Sequence, residues 1–237
     1  MRSKLPTKPS GIPWLGEVPA HWEVKRLKEL CTRSSLYGMN EPSSSYADEG
    51  IRFLRTSDIT DDGILLEEAA VYLEPEVVKD YRLIDGDVLL SRSGTLGRSF
   101  VYRDVLHGPC SYAGYLVRFV PGLALDPQFA FYFTKSREFA DWIELTATAS
   151  TIGNVSGQKF ANLPIPAPLI AEQRAIAAFL DERTTRIDGL LARKQRLMQL
   201  LKEKRQALIT RAVMRGLDEK VKIKESGVPW MGEVPEH

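Results

Sequence analysis

A chain of 237 residues, 43% hydrophobic and 27% charged with 17 Gly and 14 Pro, has ordinary globular composition and enough length to bury a core without staples. Two cysteines, Cys31 and Cys110, exclude a disulfide framework and a cysteine-rich zinc site; no run reaches the roughly 18 apolar residues of a membrane span, and Met1–Gly11 lacks a signal-peptide core, so a cytoplasmic protein without membrane contact is expected. The net charge of +1 divides into −3 over residues 1–170, +6 over 171–217 and −2 over 218–237, and Asp61–Asp87 holds nine acids against two bases while Ser91–Arg118 holds four arginines against Asp104 alone. Such a chain can offer a basic face to a polyanion; uneven solvated charge is the plainer explanation, and charge alone does not choose between them.

In chain order the first signal is a repeat. Ser10–His21 (SGIPWLGEVPAH) returns as Ser226–His237 (SGVPWMGEVPEH), identical at nine of twelve positions and 216 residues apart. That register is far beyond any solenoid period, so the repeating unit is a whole domain together with the segment after it. Short strands are expected at Ile51–Leu54, Ala70–Leu73, Asp87–Leu90, Phe100–Tyr102 and Leu116–Val120, separated by turns such as Asp61-Asp62-Gly63 and Asp85-Gly86-Asp87. Phe129–Thr146 carries its apolar residues at helical intervals. The pattern predicts an α+β domain over residues 1–168. Prolines at alternate positions in Asn162–Leu169 fix an extended backbone and read as a stiff connector.

From about Ala171 to Arg215 no proline interrupts a single predicted helix, which at 1.5 Å per residue would be roughly 65 Å long. Leu180, Ile187, Leu201 and Leu208 recur at seven-residue steps, Lys194 fills the missing step, and Leu190 and Leu197 supply the offset-by-three positions. This heptad seam needs a second helix, from another copy or another chain, and Lys194 favours one register. Glu172 in the first turn and Arg211 and Arg215 in the last complement the helix dipole, and Gly216 is the expected stop. Residues 169–217 thus form a helical region and 218–237 a tail that repeats residues 10–21.

Catalytic motifs are absent. The sequence holds no phosphate-binding loop, no dinucleotide fingerprint and no Asp/Asn-Pro-Pro-aromatic segment of an amino-methyltransferase, and His21, His107 and His237 have no metal-ligand spacing, so neither catalytic nor metal-binding residues are assigned. Two polar segments suit binding instead. Ser91–Arg98 follows a strand and combines Arg92, Ser93, Thr95 and Arg98 with two glycines: arginine can fork to guanine or phosphate, hydroxyls can donate to phosphate, and glycine lets a loop follow a groove. Thr146–Lys159 is dense in hydroxyls and amides, with Thr151, Asn154 and Lys159 as candidates; Asn154 and Gln158 have the geometry to read adenine, and a plain loop explains the segment equally well. Arg55 and Ser57, after the strand at Ile51–Leu54, complete the candidate DNA-binding set.

Taken in order, Ile12-Pro-Trp14, Val18-Pro-Ala-His-Trp22, Arg55-Thr-Ser-Asp-Ile59, Gly86–Gly97, Leu163–Leu169, Glu172-Gln-Arg-Ala-Ile176 and the helix ending Arg215-Gly-Leu217 resemble the specificity subunits of type I restriction-modification systems over nearly the whole chain. The resemblance implies a DNA target-recognition domain followed by a long helix that pairs as an antiparallel coiled coil, spaces two half-site readers and docks the methyltransferase (M) subunits. Those partners methylate adenine with S-adenosylmethionine, and a restriction (R) subunit translocates and cleaves double-stranded DNA with ATP and magnesium; no cofactor is expected on this chain. The family usually carries two recognition domains and two helices, whereas one of each stands here. A homodimer through the seam, reading an interrupted palindrome, is the resulting expectation, with the tail mimicking or competing with Ser10–Trp22 of the other copy. A structural adaptor without DNA specificity is the alternative.

Overall fold

The structure, a computed structural model, describes residues 6–147, 153–217 and 222–236. Thr151 and His237 lie outside the described residues. Two compact units emerge, Met1–Leu180 and Asp181–His237.

In the first unit, β1 (Thr7–Pro9) and β2 (Glu17–Pro19) form a hairpin with Thr7 opposite Pro19, its loop closed by Gly11 and Gly16 at φ +79° and +63°, where glycine sits without strain. β3 (Glu23–Arg26) comes next, then β4 (Cys31–Tyr37), β5 (Ile51–Leu54), β6 (Tyr72–Leu73), β7 (Val88–Ser91), β8 (Ser99–Val101), the short helix α1 (Asp104–His107), β9 (Cys110–Tyr112) and β10 (Leu116–Pro121). A four-stranded antiparallel sheet has the order β4-β10-β7-β8, and a smaller one, β6-β5-β9, pairs β5 with β9 in parallel. Side chains alternate across the larger sheet. Val88, Leu90, Val101, Val117 and Phe119 join one core, while Leu89, Phe100, Tyr102 and Leu116 join a second on the other face. Burial on both faces explains the uninterrupted apolar run in β7.

The helical interval in Phe129–Thr146 resolves into two helices, α2 (Pro127–Phe133) and α3 (Arg137–Thr146). Each has its own cap: Asp126 accepts from Phe129 N at 3.0 Å and Ser136 from Phe139 N at 3.2 Å, so the chain restarts rather than continuing through residues 134–136. After α4 (Gly157–Ala161), the proline-rich connector becomes β11 (Pro164–Ala167), paired antiparallel with β3, Ile165 opposite Lys25. A two-stranded ribbon tolerates the missing proline donors, and Ile165 is buried in the larger core. Both cysteines are free, and burial pushes each thiol up to about 12.

The helix α5 (Ile170–Arg215) begins in the first unit on a clamp built by Gln173. This wholly buried side chain accepts from Asp126 N at 2.9 Å and donates to the carbonyls of Ala124 (2.9 Å) and Pro168 (2.8 Å). Beside it the Glu172 carboxylate accepts from Trp22 Nε1 at 3.1 Å and meets His21 Nε2 at 3.0 Å. The Glu-Gln-Arg segment therefore fixes the helix root to the loop before α2 and to the chain leaving the hairpin. Gln173→Leu takes the partner from three backbone groups, of which the Pro168 carbonyl is buried, and we expect a loss of about 2 kcal/mol in urea unfolding; a loss below about 0.5 kcal/mol would show that the clamp is not needed.

In the second unit, β12 (Ile223–Glu225) and β13 (Glu233–Pro235) pair antiparallel with Ile223 opposite Pro235. Seam residues Ile187, Leu190, Leu197, Leu201 and Leu208 are 49–57% exposed and Lys194 is exposed, while Leu180, in the first unit, is half-buried. Beyond the backbone of its own helical turn, a Cβ at Gly189 would meet no atom of the described residues within 4 Å.

Candidate nucleic-acid interface

The two polar loops singled out by composition meet in space. After β7 the chain turns through Arg92, whose N–H donates to the Tyr115 carbonyl at 2.9 Å and whose carbonyl accepts from Val155 N at 3.0 Å; Ser93 and Asn154 form an isolated β-bridge. Gly157 N donates to the Tyr37 hydroxyl at 2.8 Å, and Ser35 Oγ to the Gly157 carbonyl at 3.0 Å, tying the second loop to β4. The Arg92 guanidinium lies 5.0 Å from the Tyr37 ring centroid.

Beside this junction opens a cavity of about 610 Å³ lined by Arg55, Ser57 and Arg92 together with Asn40, Tyr46 and Tyr115. Its wall depends on a close approach, because a Cβ on Gly114 would stand 2.3 Å from Asn40 Oδ1. Arg55 is held by Asp58, with Nη2 to Oδ1 at 2.8 Å and Arg55 N to Oδ2 at 2.9 Å, and it donates to the Ala69 carbonyl at 2.6 Å. The hydrogen bond to Asp58 raises the guanidinium's pKa. Ser57 Oγ donates to Asp58 Oδ1 at 3.1 Å. Arg92 differs: no carboxylate stands within ion-pair distance among the described residues, and its buried Nε has no hydrogen-bond partner there. Tyr115 is 60% exposed at the rim.

The remaining candidates sit elsewhere. Arg98, half-buried, pairs with Asp61 (Nε to Oδ1, 2.9 Å) and donates from Nη1 to the Ile59 carbonyl at 2.6 Å. Thr95 is exposed at the tip of its turn and its carbonyl accepts from Ser91 Oγ. Lys159 is exposed, its Nζ donating to the Thr146 carbonyl at 2.7 Å. Thr151 lies outside the described residues.

Charge division along the chain resolves into pairing across the fold. Arg98 meets Asp61, Arg103 meets Asp85 and Arg118 meets Asp87, so three of the four arginines in Ser91–Arg118 pair with acids of Asp61–Asp87, and among the described residues Arg92 does not. His107 packs 4.8 Å from the Phe100 ring centroid and accepts from Arg103 N at 3.0 Å; burial lowers its pKa. Among the described residues no His, Cys, Asp and Glu side chains are grouped to hold a metal, and no helix is long and apolar enough to cross a membrane. Around this concavity stand the guanidiniums of Arg55 and Arg92, the Asn40 amide, the Tyr46 and Tyr115 phenols, the Thr56 and Ser57 hydroxyls and one carboxylate, Glu41; Arg92, without a carboxylate partner among the described residues, is the group best suited to a phosphate oxygen or a base edge. Sequence reasoning missed Asn40, Tyr46 and Tyr115, which come from separate turns and belong to no periodic pattern.

Residues 19–199 match the family described as type I restriction modification DNA specificity domain. The StySPI type I restriction enzyme specificity subunit of Salmonella potsdam is 24% identical over 220 residues, covering 91% of this chain and 47% of that protein. A chain solved in work on complex assembly and conformational transition of the type I R-M system aligns with TM-score 0.66 at 25% identity, covering 82% of this chain and 46% of its own length. The HsdS subunit from Thermoanaerobacter tengcongensis aligns with TM-score 0.60 at 25% identity over 82% of this chain and 45% of its own length. The chain spans about half the length of the relatives it matches.

Proposed function

Because this chain belongs to the type I restriction-modification DNA specificity family, we propose that it is a non-catalytic subunit that reads one half-site of double-stranded DNA in the cytoplasm. Two copies pair through the α5 seam as an antiparallel coiled coil and read an interrupted palindrome. Methyltransferase subunits, which carry S-adenosylmethionine, dock on this dimer and are directed to adenine, and a restriction subunit using ATP and magnesium joins through the complex. No cofactor is held by this chain.

The observation that carries the reading is the convergence of Arg55, Ser57 and Arg92 on one cavity beside the Ser93–Asn154 bridge. Arg92 is the central contact, since a half-buried guanidinium without a carboxylate gains a partner when a phosphate or a guanine edge arrives. Arg92→Ala is expected to weaken specific DNA binding by about 1–3 kcal/mol, measured by anisotropy titration at fixed salt. Unchanged affinity together with an unchanged methylation motif would remove Arg92 from the contact.

The function itself is tested by co-expressing the chain with its neighbouring modification subunit and mapping methylated adenines by single-molecule sequencing. An interrupted palindrome is expected. An asymmetric motif would reject the symmetric dimer, and no new methylation combined with DNA affinity insensitive to salt would leave a structural adaptor, because phosphate contacts release counterions and fall with salt.

A further inference from the structure

The repeated segment is the same folded object twice. In residues 7–19 and 223–235 the strand register is identical at an offset of 216, Thr7 opposite Pro19 and Ile223 opposite Pro235. Ser10 N donates to the Gly16 carbonyl at 2.9 Å and Ser226 N to that of Gly232 at 2.9 Å; Ser10 Oγ accepts from Ile12 N at 3.1 Å and Ser226 Oγ from Val228 N at 3.1 Å. The positive-φ glycines also correspond, Gly11 with Gly227 and Gly16 with Gly232.

Their surroundings differ. Leu15 and Val18 are buried in the larger core with Leu27, Leu30, Phe119 and Leu163, and Ile12 and Trp14 pack against it. The corresponding Val228 and Trp230 are exposed, Trp230 at 78%, and Met231 and Val234 are half-exposed. The differences on this face, Ile12 to Val228 and Leu15 to Met231, conserve apolar character and nearly conserve volume, which a packed seat tolerates. The third puts a carboxylate, Glu236, where Ala20 is half-buried.

We propose that the C-terminal hairpin is an exchange ligand whose occupant is a second copy of this chain: it takes the seat on the partner's larger core that residues 7–19 fill in the first unit, releasing the partner's own N-terminal hairpin. The chain displays what fits the tail, because the tail's near-duplicate is already seated there with Leu15 and Val18 buried and Ile12 and Trp14 packed against the core. Glu236 makes the tail the weaker of the two occupants, since burying its carboxylate carries a desolvation cost that Ala20 does not. Exchange therefore follows association rather than preceding it, and it rests on the reading that two copies pair.

Hydrogen exchange of the whole 237-residue chain across a concentration series tests this, read on peptides covering residues 7–19, 181–215 and 223–235. As copies associate, amides in 223–235 are expected to slow and those in 7–19 to quicken. In sedimentation equilibrium, Trp230→Ala is expected to weaken association by about tenfold and Trp14→Ala to tighten it by a similar factor, because the two tryptophans compete for one seat. Glu236→Ala should tighten it as well. Slowing in 181–215 with both hairpins unchanged would overturn the exchange and leave helix pairing intact, whereas no slowing anywhere would overturn both. Protection of 223–235 that does not vary with concentration would place the tail on its own chain and also reject the proposal. Should Trp14→Ala fail to fold, the wild-type exchange pattern alone decides.

Discussion

Arg118→Met is expected to lower the free energy of unfolding by about 3–5 kcal/mol, because it leaves the carboxylate of Asp87 buried without its counter-charge. Both side chains are almost wholly covered, with Arg118 Nη2 at 2.7 Å from Asp87 Oδ2. Few groups share the load. Ile84 N donates to the same Asp87 oxygen at 2.6 Å and Arg118 Nη1 donates to the Arg82 carbonyl at 3.0 Å. The pair stands at the sheet where the two cores meet, Arg118 being opposite Leu89 in the β10–β7 register. Urea unfolding at neutral pH reads the loss directly, and a change under about 1 kcal/mol would mean that water or a neighbouring arginine already solvates the carboxylate. Replacing the pair with Asp87→Leu and Arg118→Met together should recover most of the loss, since two apolar side chains of matched volume carry no desolvation cost.

The same variant has a predictable pH dependence. Burial already raises the pKa of Asp87 above its ordinary 3.8, and Arg118 is among the groups that pull it back down. Removing Arg118 raises it further. A carboxyl whose folded pKa exceeds its unfolded value binds more protons folded, so stability is greatest below the unfolded value and is lost as pH climbs through the folded one. The deficit of Arg118→Met relative to the parent is therefore expected to shrink as pH falls toward 4. A deficit constant between pH 4 and 8 would show that Asp87 is not the group left stranded.

A short apolar run bounded by turn residues made β7 legible: Asp87–Leu90 reads as a strand, and Val88–Ser91 is one, buried throughout. Repetition was stronger still, since the repeated residues 10–19 and 226–235 supply the loop and second strand of two hairpins with the same register. Capping cut the helical stretch at Phe129–Thr146 in two, because Ser136 offers its hydroxyl to a new first turn, and a spacing rule does not weigh that competition. The prolines of Asn162–Leu169 announced an extended backbone but not its partner β3, more than a hundred residues earlier. Charge was the least local of the signals. Asp61 and Arg98 are 37 positions apart and meet as an ion pair, so the contrast between the acidic and arginine-rich stretches marks an internal seam of the fold as much as a surface. Arg92 and Arg55 were recognisable as polar loop residues, whereas the cavity that joins them to Tyr46, Tyr115 and Asn40 exists only through tertiary packing.

Leu197→Glu combined with Leu201→Glu is expected to abolish the proposed pairing of two copies, lowering the association constant by a factor on the order of 10³ or more. Each buried leucine contributes about 1.5–3 kcal/mol, and a two-fold pair of helices loses four of them while gaining four carboxylates to desolvate. Both positions are more than half exposed within the single chain, so the body's unfolding midpoint should not move, which separates this effect from misfolding. Sedimentation equilibrium measures the loss; an unchanged association constant would remove the seam from the interface. Lys194 sharpens the argument. It occupies the central step of the seven-residue ladder from Leu180 to Leu208, where leucine would add apolar area in any register while lysine penalises every alignment that buries its ammonium. Lys194→Leu should thus strengthen association and loosen its register. In the proposed dimer the paired helices set the distance between half-sites, so mixed register would show in the methylation map as a spread of gap lengths between otherwise unchanged half-sites.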